Sequence, residues 1–315
     1  MNLGKQAQGA RFRAQGKILF CALSFVLCAG LLSPIFAMEK GSGTISLKGG
    51  QAPFLKDENG ARPQRIVSLS TVVTEEIFLL GEGKRLVGRS HFCVRPAEAQ
   101  KIPEAGNIVD INLEKVVSLA PDLVTVTPML DPRAVAKMRA LGLRVETFAP
   151  AKNFKGVNES FLRLARMLGK EAEAARIVEE QERAMELLRR KVPPSSELSV
   201  FLEIGAEPLV TVTKDSFLND LIEFAGGKNI AKGAERALYS REKVLSQDPD
   251  MIIISSMGFD GEKEKQMWRK YPELKAVLGN RIVIVNSDLF CSPTPVTFTR
   301  ALESMIHILH ANYVT

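Results

Sequence analysis

The segment Glu114 to Val126 recurs as Glu242 to Ile254 at a constant offset of 128, with six positions identical and four more exchanging one apolar residue for another. A second echo follows each copy: Leu141-Gly142-Leu143-Arg144-Val145 and Leu278-Gly279-Asn280-Arg281-Ile282. Solenoid units repeat every ~20–50 residues, so a spacing this long predicts two lobes of similar build instead. Two like lobes enclose a cleft, and each presents an equivalent glutamate, Glu114 in the first and Glu242 in the second.

The first 37 residues read as a cleaved leader. Lys5, Arg11, Arg13 and Lys17 make a positive start without an acid, Ile18 to Leu32 is an apolar run of 15 residues, and Ser33 to Ala37 ends on a small residue. This is the pattern of a secretory signal peptide cut after Ala37. The run falls short of the roughly 20 apolar residues that a membrane span needs, and bulky Leu27 ahead of Cys28 argues against a lipid anchor. Without the leader the chain holds 38 basic against 36 acidic residues, and this near-balance excludes the footprint of a nucleic-acid binder. The 278 residues that remain exceed what one core organises.

Residues 38–64 are rich in Gly and Lys and read as a linker, with one alternating piece at Thr44 to Leu47. Beyond them apolar strands alternate with helical runs. Arg65 to Ser70 leads to Thr74 to Leu80, Leu86 to Arg89 follows, a helix from about Leu113 feeds Leu123 to Val126, and Pro132 to Leu141 feeds Arg144 to Phe148. Such alternation marks a parallel sheet covered on both faces. The second lobe repeats it with Val200 to Glu203, Phe217 to Phe224 and Ile282 to Val285, and closes on a helix at Thr297 to Leu309. Between the lobes, residues 170–192 lack Gly and Pro and carry Ala174, Val178, Met185, Leu188 and Val192 near one face. Glu179 with Arg183 and Glu186 with Arg190 add i,i+4 pairs. That run predicts one helix about 34 Å long, a strut that keeps lobe motion small. The expected fold is α/β: a first lobe over 65–168, a connecting helix over 169–194 and a second lobe over 195–315, each lobe on a central parallel sheet.

Enzyme signatures are missing. Gly81-Glu82-Gly83-Lys84 has the ending of a phosphate loop, but Phe78 stands at its first glycine and Arg85 at its magnesium-binding hydroxyl. The chain has no Gly-x-Ser-x-Gly elbow and no His-Glu-x-x-His helix. His307 and His310 have no third ligand nearby in sequence and read as surface or core residues. Trp268 and Tyr271 read as packing beneath the second lobe.

Taken in order, Arg65 to Ser70 with Glu75, Asn112-Leu113-Glu114 leading to Pro121-Asp122-Leu123-Val124, the long central helix, Ala225 to Ile230, and Arg241 to Leu245 leading to Pro249-Asp250 resemble the cobalamin and iron-siderophore substrate-binding proteins of bacterial ABC importers. The likeness runs from about Arg65 to the C terminus, and the cobalamin-binding branch is nearest in pattern. It implies the class III periplasmic binding fold, a monomer in the periplasm with no cofactor of its own, and no catalysis. The cargo implied is a corrinoid or iron chelate, handed to the transmembrane subunits of an ABC permease. In that family one glutamate per lobe docks onto permease arginines; the matching residues are Glu114 and Glu242, the pair already marked by the repeat. Equivalent contacts suit a two-fold symmetric partner, and the plainer reading is an acid near a helix N terminus.

The resemblance also implies that the cleft is lined by Ser70 to Thr74, Ser90 to Arg95, Glu203 to Pro208 and Asp288 to Thr294, at strand ends. The candidate ligand contacts are Ser70, Thr71, His91, Phe92, Cys93, Arg95, Gly205, Phe290 and Cys291. The family's aromatic corrin contact corresponds to the neighbourhood of aliphatic Ile108, and its cleft arginine to Cys291 or Ser292. For Cys93 and Cys291 three readings stand: an interlobe disulfide, metal contact through soft sulfur, or two small residues. Arg95 is a candidate partner for a ligand carboxylate or phosphate, a solvated side chain being the plainer reading. The rivals are a haem or oxyanion binder of the same fold, an exported metallo-enzyme with His91, Cys93 and Cys291 around one metal, and a sensor that signals without delivering cargo.

Overall fold

The structure, a computed structural model, describes residues 62–107, 111–193, 198–256 and 258–310. The leader, the strand-like piece at Thr44 to Leu47, most of the linker and Ile108 lie outside the described residues. In the first lobe, strands β1 (Ile66–Ser68), β2 (Leu86–Arg89), β3 (Leu123–Val126) and β4 (Val145–Thr147) form a parallel sheet in the order β2-β1-β3-β4. Helices α1 (Thr71–Leu79), α2 (Leu113–Ser118) and α3 (Pro132–Ala140) pack around it. Every residue of β3 is buried, which is why that strand carries no polar alternation. Helix α1 begins one turn before the expected Thr74, because the Ser70 hydroxyl accepts the Val73 N–H and caps it there.

The connector is a pair of helices, not one. Helix α4 (Phe154–Leu168) and α5 (Glu171–Arg189) meet at Gly169, whose φ of 68° is left-handed and allows the chain to reverse. Phe154 and Val157 of α4 sit in the core of the second lobe, while Phe161, Leu164, Ala165 and Leu168 sit in the core of the first. Helix α5 divides likewise: Ala174, Ile177 and Val178 join the first core, and Met185 and Leu188, with Val192 just past the helix end, pack on the second. Both helices therefore cross the lobe boundary, and bending would disturb two cores at once. With 19 residues α5 spans about 28 Å, short of the expected 34 Å. It ends at Arg189 because Lys191 and Val192 bond back three residues, to Leu188 and Arg189, and the residue before Pro193 is disfavoured in the α region.

The second lobe contains β5 (Leu198–Ala206), β6 (Leu209–Thr211), α6 (Phe217–Phe224), β7 (Gly227–Asn229), α7 (Arg241–Gln247), β8 (Met251–Ser255), α8 (Gly261–Trp268), α9 (Lys275–Leu278), β9 (Ile282–Val285), α10 (Ser287–Cys291) and α11 (Pro295–His310). Parallel β7, β5, β8 and β9 reproduce the order of the first sheet, and β6 adds an antiparallel strand beside the end of β5. The sequence echoes occupy equivalent rungs: Val124 pairs Val145, and Ile252 pairs Ile282.

The repeat extends to its hydrogen bonds. Asn112 caps α2 by accepting the Lys115 N–H at 2.8 Å, and Ser240 caps α7 by accepting the Lys243 N–H at 3.3 Å. Ser118 and Ser246 donate to the carbonyls of Lys115 and Lys243. Ala120 and Asp248, each just before a proline, both have φ of 45°. Asp122 accepts the backbone N–H of Arg65, and Asp250 that of Ser199, tying each copy to the strand beside it.

Candidate functional site

A cavity of about 520 Å³ lies between the lobes, at the C-terminal ends of their strands. The first lobe supplies the start of α1, the loop after β2, Thr127 and Met129 after β3, and Phe148 to Ala151 after β4. Helix α4 adds Val157 and Ser160, and the second lobe adds Phe217, Gly258, Ser287, Asp288 and Cys291 to Pro293. Carbon dominates this wall. Phe92 stands on the rim at 37% exposure, next to His91, with the two rings edge to face at 5.5 Å. Volume and lining are those of a site for a bulky, largely apolar small molecule.

Of the expected contacts, Ser70, Thr71, His91, Phe92 and Cys291 line this cavity, and four do not. Cys93 is 1% exposed and turned inward, where its sulfur accepts the Thr74 hydroxyl at 3.1 Å. Burial, the first cause, raises its pKa and keeps it a thiol, a poor metal ligand. No disulfide joins it to Cys291, whose sulfur lies 3.2 Å from the Ser255 hydroxyl. Gly205 is buried within β5, where it pairs with Val210, and Phe290 is core at 1% exposure. Arg95 is engaged by the protein: it pairs with Glu75 at 3.0 Å and donates to the Ser292 carbonyl at 3.3 Å. That bond, with the Thr71 to Ser292 hydroxyl contact at 3.4 Å, joins the two sides of the cleft. His91, Cys93 and Cys291 are not brought around one point: among the described residues no three His, Cys, Asp or Glu side chains are placed to hold one metal ion, and Cys93 is turned inward to Thr74. For Cys93, Arg95 and Phe290 the physical reason is that a backbone position near the cleft does not set which way the side chain faces, whereas Gly205 is held inside the sheet by its place in β5.

The reading from sequence passed over Glu76. It is 1% exposed, lines the cavity, and neither carboxyl oxygen has a hydrogen-bond partner among the described residues. The available signal was the doublet Glu75-Glu76 inside an otherwise apolar helix, which forces one acid toward the interior.

Glu114 and Glu242 are exposed and lie in the first turns of capped helices. A helix that turns into a parallel strand runs opposite to it, so the N termini of α2 and α7 lie at the C-terminal ends of β3 and β8, the cleft edge. Glu114 borders a second, polar hollow that it shares with the rim residue His91. Hydrogen bonds from its own N–H and from the Ser240 hydroxyl hold the Glu242 carboxyl below its ordinary pKa.

Behind Glu242 lies a buried network. Arg241 pairs with Glu264 and stacks 4.7 Å over the Trp268 ring, and Trp268 donates its indole N–H to Glu203 at 2.6 Å. Burial first, then repulsion by Glu264, pushes the Glu203 pKa well up. A carboxyl with a raised folded-state pKa adds stability below its unfolded value of about 4.3 and loses it as pH rises toward the folded value. Glu76 has the same sign, through burial and then Glu75. We expect the thermal midpoint to fall between pH 5 and pH 8, with a flatter slope and a higher midpoint at pH 8 in Glu203→Gln. Midpoint scans across that range check it, and an unchanged slope in the variant would show Glu203 to be silent.

The sequence profile of the periplasmic binding protein family matches residues 66–289. The ABC transporter substrate-binding lipoprotein YvrC of Bacillus subtilis is 28% identical over 261 residues, 80% of this chain and 80% of its own length. A vitamin B12-binding protein of Vibrio campbellii is 26% identical over 250 residues, 78% of this chain and 89% of its own. Among solved structures, the periplasmic vitamin B12-binding protein of Vibrio cholerae superposes with a TM-score of 0.68 at 25% identity, covering 79% of this chain and 98% of that one. A periplasmic solute-binding protein of Staphylococcus epidermidis shares the fold, with a TM-score of 0.72 at 23% identity over 79% of this chain and 100% of that one. The overall fold is thus shared with these proteins, and this protein belongs to the periplasmic binding protein family.

Proposed function

We propose that this protein, exported and freed of its leader, captures a corrinoid or ferric chelate between its lobes and delivers it to an ABC permease, without chemical turnover. The observation that carries this reading is the carbon-lined cavity of about 520 Å³ at the strand ends, with Phe92 offering an aromatic face at its mouth. Burial of a macrocycle's faces against such a wall supplies the affinity, and the few polar groups fix its orientation. Two relatives named for vitamin B12 binding support the corrinoid within the class. Delivery is assigned to Glu114 and Glu242, one exposed carboxylate per lobe, which suit arginines on two like transmembrane subunits.

Native mass spectrometry of the protein taken from its own periplasm reads the cargo directly, and titration with cyanocobalamin followed by gel filtration checks it. Co-elution with cyanocobalamin is expected. A Soret band on adding haem, with no retention of cobalamin or ferric chelate, would move the assignment to haem. Retention of none of the three would sink the proposal.

A further inference from the structure

The buried carboxyl of Glu76 on the wall of the cleft has no hydrogen-bond partner among the described residues. Glu75 and Glu76 are neighbours on α1, yet Glu75 turns to Arg95 while Glu76 is buried toward the cavity. The cavity wall around Glu76 is apolar for the most part, with Val73, Phe148 and Val157 in it. The Thr127 hydroxyl, also on that wall, is likewise without a hydrogen-bond partner among the described residues. A buried polar group with no partner is a costly feature of a folded protein, and a ligand that completes its hydrogen bonds relieves that cost. Burial and the adjacent Glu75 both favour the protonated form of Glu76, so it offers one O–H donor and one carbonyl acceptor.

The complement of that pair is a carboxamide, which presents a carbonyl to the O–H and an N–H to the carbonyl. Corrinoids carry primary amides around the ring, whereas haem carries carboxylates. A ligand carboxylate would bring a further negative charge into a poorly solvated wall beside Glu75. We propose that Glu76 is the polar anchor of the cleft, holding a carboxamide of the cargo and favouring amide-bearing over carboxylate-bearing macrocycles. This rests on the cleft being the cargo site, as proposed above.

Cyanocobalamin and haem are the probes, titrated into the leader-free protein and its Glu76→Leu and Glu76→Gln variants, with thermal midpoints measured alongside. Glu76→Gln keeps one donor and one acceptor and is expected to bind cyanocobalamin within about threefold of the unaltered protein. Glu76→Leu is expected to weaken it about tenfold or more, to leave haem affinity unreduced, and to melt no lower, since an unpaired carboxyl gives way to an alkyl chain. Equal cyanocobalamin affinity in Glu76→Leu would overturn the anchor. Loss of binding in Glu76→Gln as large as in Glu76→Leu would overturn the carboxamide and point to a cation held by an ionised carboxylate. If the unaltered protein binds no cyanocobalamin, the corrinoid reading of the cleft falls, and this proposal with it.

Discussion

Reversing the charge of both carboxylates proposed to dock, Glu114→Lys with Glu242→Lys, is expected to abolish uptake while leaving ligand binding intact. Both side chains are exposed and sit on helices whose caps, Asn112 and Ser240, are untouched by the change, so the fold has little reason to respond. At a membrane partner the effect is large, because each reversal both removes an attraction and sets like charges against one another. The double change should weaken docking by about 100-fold or more, and either single change by less. Cellular uptake at limiting ligand should fall in step, while titration of the purified protein and its thermal midpoint stay at their original values. Raising ionic strength should weaken docking of the unaltered protein and narrow the gap to the variants. Full uptake by the double variant would overturn docking and favour a protein that signals without delivering.

Trp268→Ala should be among the most destabilising single changes in the second lobe, costing about 3–5 kcal/mol and lowering the thermal midpoint by roughly 10 °C. The ring is fully buried and edge to face with Phe201 at 5.8 Å, so its removal opens a cavity. It also leaves Glu203 without its indole donor and Arg241 without the surface on which it stacks. Arg241 precedes Glu242 on α7, so the variant is expected to loosen the helix that presents Glu242. Hydrogen exchange over 239–247 should accelerate more than over the equivalent first-lobe helix at 113–118. A midpoint within two or three degrees of the original would mean that the pocket collapses around the loss.

The duplicated lobes were legible because the same physical demands recur in each. A strand buried on both faces must be apolar throughout, and a helix entering it needs a cap and a stop. Those demands put Asn112 or Ser240, a glutamate, and a proline-aspartate pair at matching positions. Glu114 and Glu242 stood out for that reason. The second connecting helix was missed although Phe154, Val157, Phe161, Leu164 and Leu168 keep helical spacing. Its apolar face serves two cores, and only contact with both distinguishes a connector from one lobe's closing helix.

Pattern and spacing in the chain establish two lobes built on parallel strands, their common order of elements and their paired acidic residues, since these follow from local periodicity. Which residues face the cleft follows from packing between segments far apart in the chain. Cys93 turns inward to Thr74, Phe290 fills a core, Arg95 is taken by Glu75 and Ser292, and Glu76 at the cavity wall has no hydrogen-bond partner among the described residues. The direction of a side chain near the cleft depends on what else fills the space around it, and that information is absent from any short stretch of residues.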